Sequence, residues 1–90
     1  MSHKWTKNDD IVAFYLYRFN MSGFNFSIEE IAEQLGMSKE SLKMRINNFK
    51  AVDGRGGLKN YAKLTKEVFF EFKSLSKKEH LAEVKRILNL

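Results

Sequence analysis

Glu40, Lys43, Met44 and Asn47 share one side of any helix drawn through them, with Lys39 and Lys50 on its flank and Ser38 just ahead. The set offers a planar amide, several ammonium groups, a carboxylate and a thioether, but no nucleophile beside a base. Its chemistry is therefore recognition. An Asn amide makes paired hydrogen bonds to adenine, Lys reaches guanine acceptors or phosphates, and Glu accepts from cytosine. A Met side chain packs against a thymine methyl. Each residue alone is an ordinary solvated side chain. The opposite side of the same helix gives the set its meaning: Leu42, Ile46 and Phe49 are spaced four and three apart and form an apolar stripe.

Several elements must hold that helix in place. Ser38 is the expected cap of a helix over Lys39–Ala51. Before it, Ser27-Ile28-Glu29-Glu30 is a capping box opening a helix to about Leu35, with Ile28, Ile31, Ala32 and Leu35 on one side. Gly36 suits a left-handed residue after that helix, and Met37 fills the turn. Ala32 is small where the next helix crosses, and Leu35 and Leu42 are apolar where the two meet. The joint pattern predicts a helix-turn-helix spanning about Ser27–Lys50, its second helix projecting toward a major groove.

Thr6 caps a first helix of about Lys7–Asn20, with Asp9 and Asp10 at its positive end. The broad apolar arc of Ile11, Val12, Phe14, Tyr15, Leu16 and Phe19 marks it as a central helix touched by several neighbours. Thr65 is the expected cap of a fourth helix through Val68, Phe69, Phe72 and Leu75. Ser76-Lys77-Lys78-Glu79 is a capping box opening the last, with Leu81, Val84, Ile87 and Leu88 inward. Proline is absent and strand signals are poor. The expected fold is all-α with about five helices: a three-helix core containing the helix-turn-helix, plus two C-terminal helices. Residues 1–90 form one domain, with its core over 5–52 and a helical extension over 60–90.

Charge agrees with recognition of a polyanion. The net charge is +5. Between residues 38 and 66 stand eight Lys and Arg against only Glu40 and Asp53, whereas residues 1–37 are net acidic. A localised basic surface concentrates polyanions and steers their approach. In Asp53-Gly54-Arg55-Gly56-Gly57-Leu58 the glycines allow close approach of backbone to phosphate, and Arg55 with Lys59 is placed to clamp a strand. The loop lacks the spacing of a nucleotide-triphosphate site. A plain inter-helix turn is its other reading.

Cysteine is absent, and no His pair or metal-ligand spacing exists. No metal, cofactor or catalytic role is expected, because capping accounts for most of the carboxylates. The first ten residues lack the apolar run of a signal peptide, and no stretch approaches the ~18–20 apolar residues that cross a bilayer. A cytoplasmic location without membrane contact is expected.

Residues 28–49 resemble the helix-turn-helix of sigma-factor-type and response-regulator-type DNA-binding domains, in the order Ser38, Leu42, Arg45 and Ile46. The opening Trp5-Thr6-Lys7-Asn8-Asp9-Asp10 resembles the start of Myb/SANT-like domains, whose later tryptophans are missing. A longer likeness covers about residues 5–72, through Trp5, Leu16-Tyr17, the Ile31–Leu42 core, Arg45, Asn48-Phe49, Asp53, Gly57-Leu58, Lys63-Leu64 and Glu67-Val68. That pattern is similar to the small N-terminal domain ahead of HNH nuclease domains in bacterial restriction-type endonucleases. The resemblance implies DNA binding, a bacterial or phage source and a restriction-associated role. It does not imply cleavage, since His3 and His80 stand far apart and outside any His-Asn-His context.

Double-stranded DNA is thus the expected partner, with homodimerisation or attachment to a larger chain supplying affinity that a lone module lacks. The alternative is a protein-interaction module on the same scaffold. The run Val68-Phe69-Phe70-Glu71-Phe72 bears on it, because one helix can hardly bury Phe69, Phe70 and Phe72 on a single side. The run is expected in the core, with a dimer surface as its other reading. Arg45, beside the buried stripe, is expected to pair with a carboxylate such as Asp10 or Glu29, or to touch one phosphate.

Overall fold

A computed structural model describes residues 4–54 and 62–90. Among these residues the fold is all-α, with five helices: α1 (Lys7–Phe19), α2 (Ile28–Gln34), α3 (Lys39–Val52), α4 (Lys63–Phe72) and α5 (Lys77–Ile87). Arg55 and Lys59, expected on phosphates, lie outside the described residues, as does most of their glycine-rich loop.

The broad arc of α1 has the expected consequence. Every residue from Asp9 to Leu16 is buried, because α3, α4 and α5 all pack on this one helix. Its start is fixed by a reciprocal cap: Thr6 Oγ1 accepts from Asp9 N at 3.2 Å, and Asp9 Oδ2 accepts from Thr6 N at 3.1 Å. At the centre Phe14 stacks on Phe49 of α3, with ring centroids 4.7 Å apart, and meets Phe69 of α4 at 5.4 Å. Val84 and Leu88 close the same cluster from the α5 side. Each such side chain contributes about 1.5–3 kcal/mol through burial. α4 and α5 therefore share one core with α1 and α3.

The fourth helix departs from the expectation at its start. It begins at Lys63, two residues before Thr65, and its N-cap Ala62 makes no side-chain hydrogen bond. Thr65 is not the cap. It occupies the inward stripe Thr65, Val68, Phe69 and Phe72, at offsets of three, four and seven, so packing turns its hydroxyl away from the helix end. Thr65 is fully buried and its Oγ1 has no hydrogen-bond partner among the described residues. Of the aromatic run, Phe69 and Phe72 enter the core while Phe70 stays 54% exposed.

The other end of α4 is held by a residue the sequence did not single out. Arg18, in the last turn of α1, donates to the carbonyls of Phe72 at 2.9 Å, Lys73 at 3.3 Å and Leu75 at 2.6 Å. These oxygens belong to the end of α4 and the turn after it, where helical partners run out. Arg18 also donates to Nδ1 of the buried His80 at 3.1 Å. Guanidinium has no acceptor, so the imidazole proton sits on Nε2, which donates to the Ile11 carbonyl at 2.9 Å. No helix among the described residues is long and apolar enough to cross a membrane.

Candidate nucleic-acid interface

The turn between α2 and α3 is built from backbone geometry that the sequence dictates. Ser27 and Glu30 close the reciprocal cap of α2, at 3.2 and 3.1 Å. At its other end Gly36 takes φ 79°, a left-handed value that costs a side-chain-bearing residue strain. Gly36 N donates to Glu33 O at 3.0 Å and Met37 N to Ala32 O at 2.9 Å. This pair of reversed bonds is a Schellman ending, and it satisfies carbonyls that α2 leaves open. Ser38 then caps α3, its Oγ accepting from Ser41 N at 3.1 Å.

α3 is anchored along one side only. Leu42 and Phe49 are fully buried, and Ile46 is half-buried against the same cluster. Arg45 fixes the helix to α1. Its Nε and one terminal nitrogen each lie 2.6 Å from the Asp10 carboxylate, and its guanidinium stacks 4.4 Å from the Trp5 ring centroid. Of the roles expected for Arg45, the pair with Asp10 is the one found. Burial pushes the Asp10 carboxyl above its ordinary range, opposed by the hydrogen bonds and charge of Arg45.

The other side of α3 faces solvent. Glu40, Lys43, Asn47 and Lys50 are exposed, and Met44 is 68% exposed. The fold therefore brings these five onto one open surface. Two further candidates carry commitments. Ser38 is exposed, but its hydroxyl is used in the cap and donates to Ser41 Oγ at 3.0 Å. Lys39 forms an ion pair with Glu29 of α2 at 2.8 Å.

Asn48 extends this surface toward α4. Its Nδ2 donates to Met44 O at 3.0 Å, and its Oδ1 accepts from Ala62 N at 3.4 Å. The start of α4 is thereby tied to the middle of α3, with Lys63 and Lys66 exposed in its first turn. That turn has no acidic residue and no side-chain cap, unlike the other four described helices. Lysines at an uncapped positive helix end run against local helix electrostatics and leave it attractive to anions. Nothing in the charge count alone distinguished Lys63 and Lys66 from other surface lysines. The missing acid in that turn was the available signal.

Away from this face, a concavity of about 420 Å3 is lined by Phe14, Tyr17, Arg18, Asp53, Phe69 and Lys73. Its polar groups largely satisfy one another. Tyr17 donates to Asp53 at 2.6 Å, and Arg18 is committed to carbonyls and His80. Among the described residues no three His, Cys, Asp or Glu side chains gather where they could hold a metal.

No protein-family model, curated protein or solved structure matches this chain. What the α3 surface can do follows from its own groups. They combine the ammonium groups of Lys43 and Lys50, the Glu40 carboxylate, an amide able to both donate and accept, and an exposed thioether. Such a set is complementary to base edges framed by phosphates.

Proposed function

We propose that this chain binds double-stranded DNA as a helix-turn-helix, laying α3 in the major groove. One observation carries the reading. The buried stripe of α3 leaves Glu40, Lys43, Met44, Asn47 and Lys50 together in solvent, on a helix held rigidly from behind by Arg45 and Phe49. In this reading Asn47 and Lys43 contact base edges, Met44 meets a thymine methyl, and Lys50 and the first turn of α4 hold phosphates. Ser38, Lys39 and Glu40 complete the entry of the helix into the groove. The likeness of residues 28–49 to sigma-factor-type domains supports the same assignment. The longer likeness to domains ahead of HNH nucleases extends it to a restriction-associated role in which another part of a larger assembly acts on the DNA.

A protein-interaction module is the second reading, favoured by Phe70 at 54% exposure beside Lys73, whose ammonium lies 5.0 Å from its ring centroid. Salt separates the two. Neutralising about three to five phosphates gives a log–log slope of roughly −3 to −4.5, so duplex affinity falls about a hundredfold between ~50 and ~200 mM salt. Titrating a labelled duplex at both salts measures it. A flat response, or no binding at the lower salt, rejects the DNA reading.

A further inference from the structure

Lys39 and Glu29 join the first turns of α3 and α2, and both side chains keep contact with solvent, at 37% and 56% exposure. The Glu29 carboxylate is well held. The Lys39 ammonium, its own backbone N–H and the Ser27 hydroxyl all keep it below the usual carboxylate range, so it stays charged at neutral pH. The pairing in turn holds Lys39 above its ordinary range. Lys39 also flanks the face that carries Lys43 and Asn47. Because the pair is exposed, a phosphate oxygen can replace the carboxylate at little cost.

From this geometry we infer that Glu29 competes with duplex phosphate for Lys39 and so limits sequence-independent, phosphate-driven binding. The inference rests on the DNA-binding reading. On a duplex that offers α3 no base contacts, phosphate attraction is all there is, and Glu29 takes one cation out of it. On a preferred site the contacts of Asn47 and Lys43 are untouched by Glu29.

The test is a double-mutant cycle, read as anisotropy of a labelled random-sequence duplex at about 50 mM salt. Glu29→Gln should tighten binding about two- to fivefold, the range open to an exposed ion pair, and steepen the salt slope by up to about 0.9. In a Lys39→Met background the same Glu29→Gln change should give no gain. An equal gain with and without Lys39 would show Glu29 acting only as a bulk surface charge, and overturns the inference. So does the absence of any gain in the otherwise unmodified chain. Failure of the unmodified protein to bind any duplex rejects the reading of α3 and this inference with it. Circular dichroism checks that each variant keeps its helices.

Discussion

Asn47 and Lys50 stand one helical turn apart on α3, both exposed, and differ in what a base pair can tell about them. The Asn amide donates and accepts in one plane, so its energy depends on which base it meets. The Lys ammonium is satisfied by any phosphate. Asn47→Ala should therefore cost roughly 1–3 kcal/mol on a duplex selected by the protein and little on a random one. Lys50→Ala should weaken both by similar factors and reduce the salt slope by about one. Competition binding with the two duplexes measures each. Equal losses from Asn47→Ala on both would remove its base-reading role while leaving phosphate binding intact.

At the scale of elements, α3 follows the local rules of helix starts and α4 breaks them. α3 keeps its cap and leaves the charged and amide side chains of Glu40, Lys43, Asn47 and Lys50 on its outer side. α4 starts with lysines and no side-chain cap, and carries a buried hydroxyl without a partner among the described residues. Thr65→Val keeps the volume and removes that hydroxyl, so thermal or denaturant unfolding should show a gain of about 1–2 kcal/mol. A loss of stability would mean that the hydroxyl is satisfied after all.

The same elements mark how far the sequence could be read. The capped helices follow from Thr6, Ser27, Ser38 and Ser76, because capping is a matter between residues three apart. The outward face of α3 was legible for the same reason, as a helix with one apolar stripe has only one other side. The Thr65 assignment failed because tertiary packing claimed its side chain, and local chemistry has no view of what packs behind. Arg18 and His80 lie 62 residues apart, and nothing local announces that one will donate to the other or close the end of α4. The pairing of Arg45 depended on which acid the fold delivered; the sequence offered both Asp10 and Glu29.

At the scale of the whole molecule, the packing of α1 against α4 and α5 makes stability depend on pH. His80 is fully buried among Phe14, Tyr15, Phe19 and Phe72, and burial pushes its pKa down from 6.5 to about 4, with the Arg18 charge adding to the effect. The folded chain thus resists a proton that the unfolded chain accepts. This contribution is intact above about pH 6.5, is lost as pH falls from there toward 4, and amounts to roughly 3 kcal/mol over that window. Asp10 works in the opposite sense. Its raised pKa lets the folded state take up a proton first, which offsets part of the loss just above its ordinary 3.8. Denaturant midpoints between pH 7 and 4 should fall for the natural chain. With His80→Gln they should be lower at pH 7 and change far less with acid. An unchanged slope in that variant would assign the acid sensitivity elsewhere.

The most direct test of the account is a map of where DNA touches the protein. In an NMR titration of isotope-labelled protein with duplex DNA, the largest amide shifts should gather at Lys43, Met44, Asn47 and Lys50, with Lys63 and Lys66 next. Shifts centred on Phe70 or α5, with the outer side of α3 undisturbed, would contradict it.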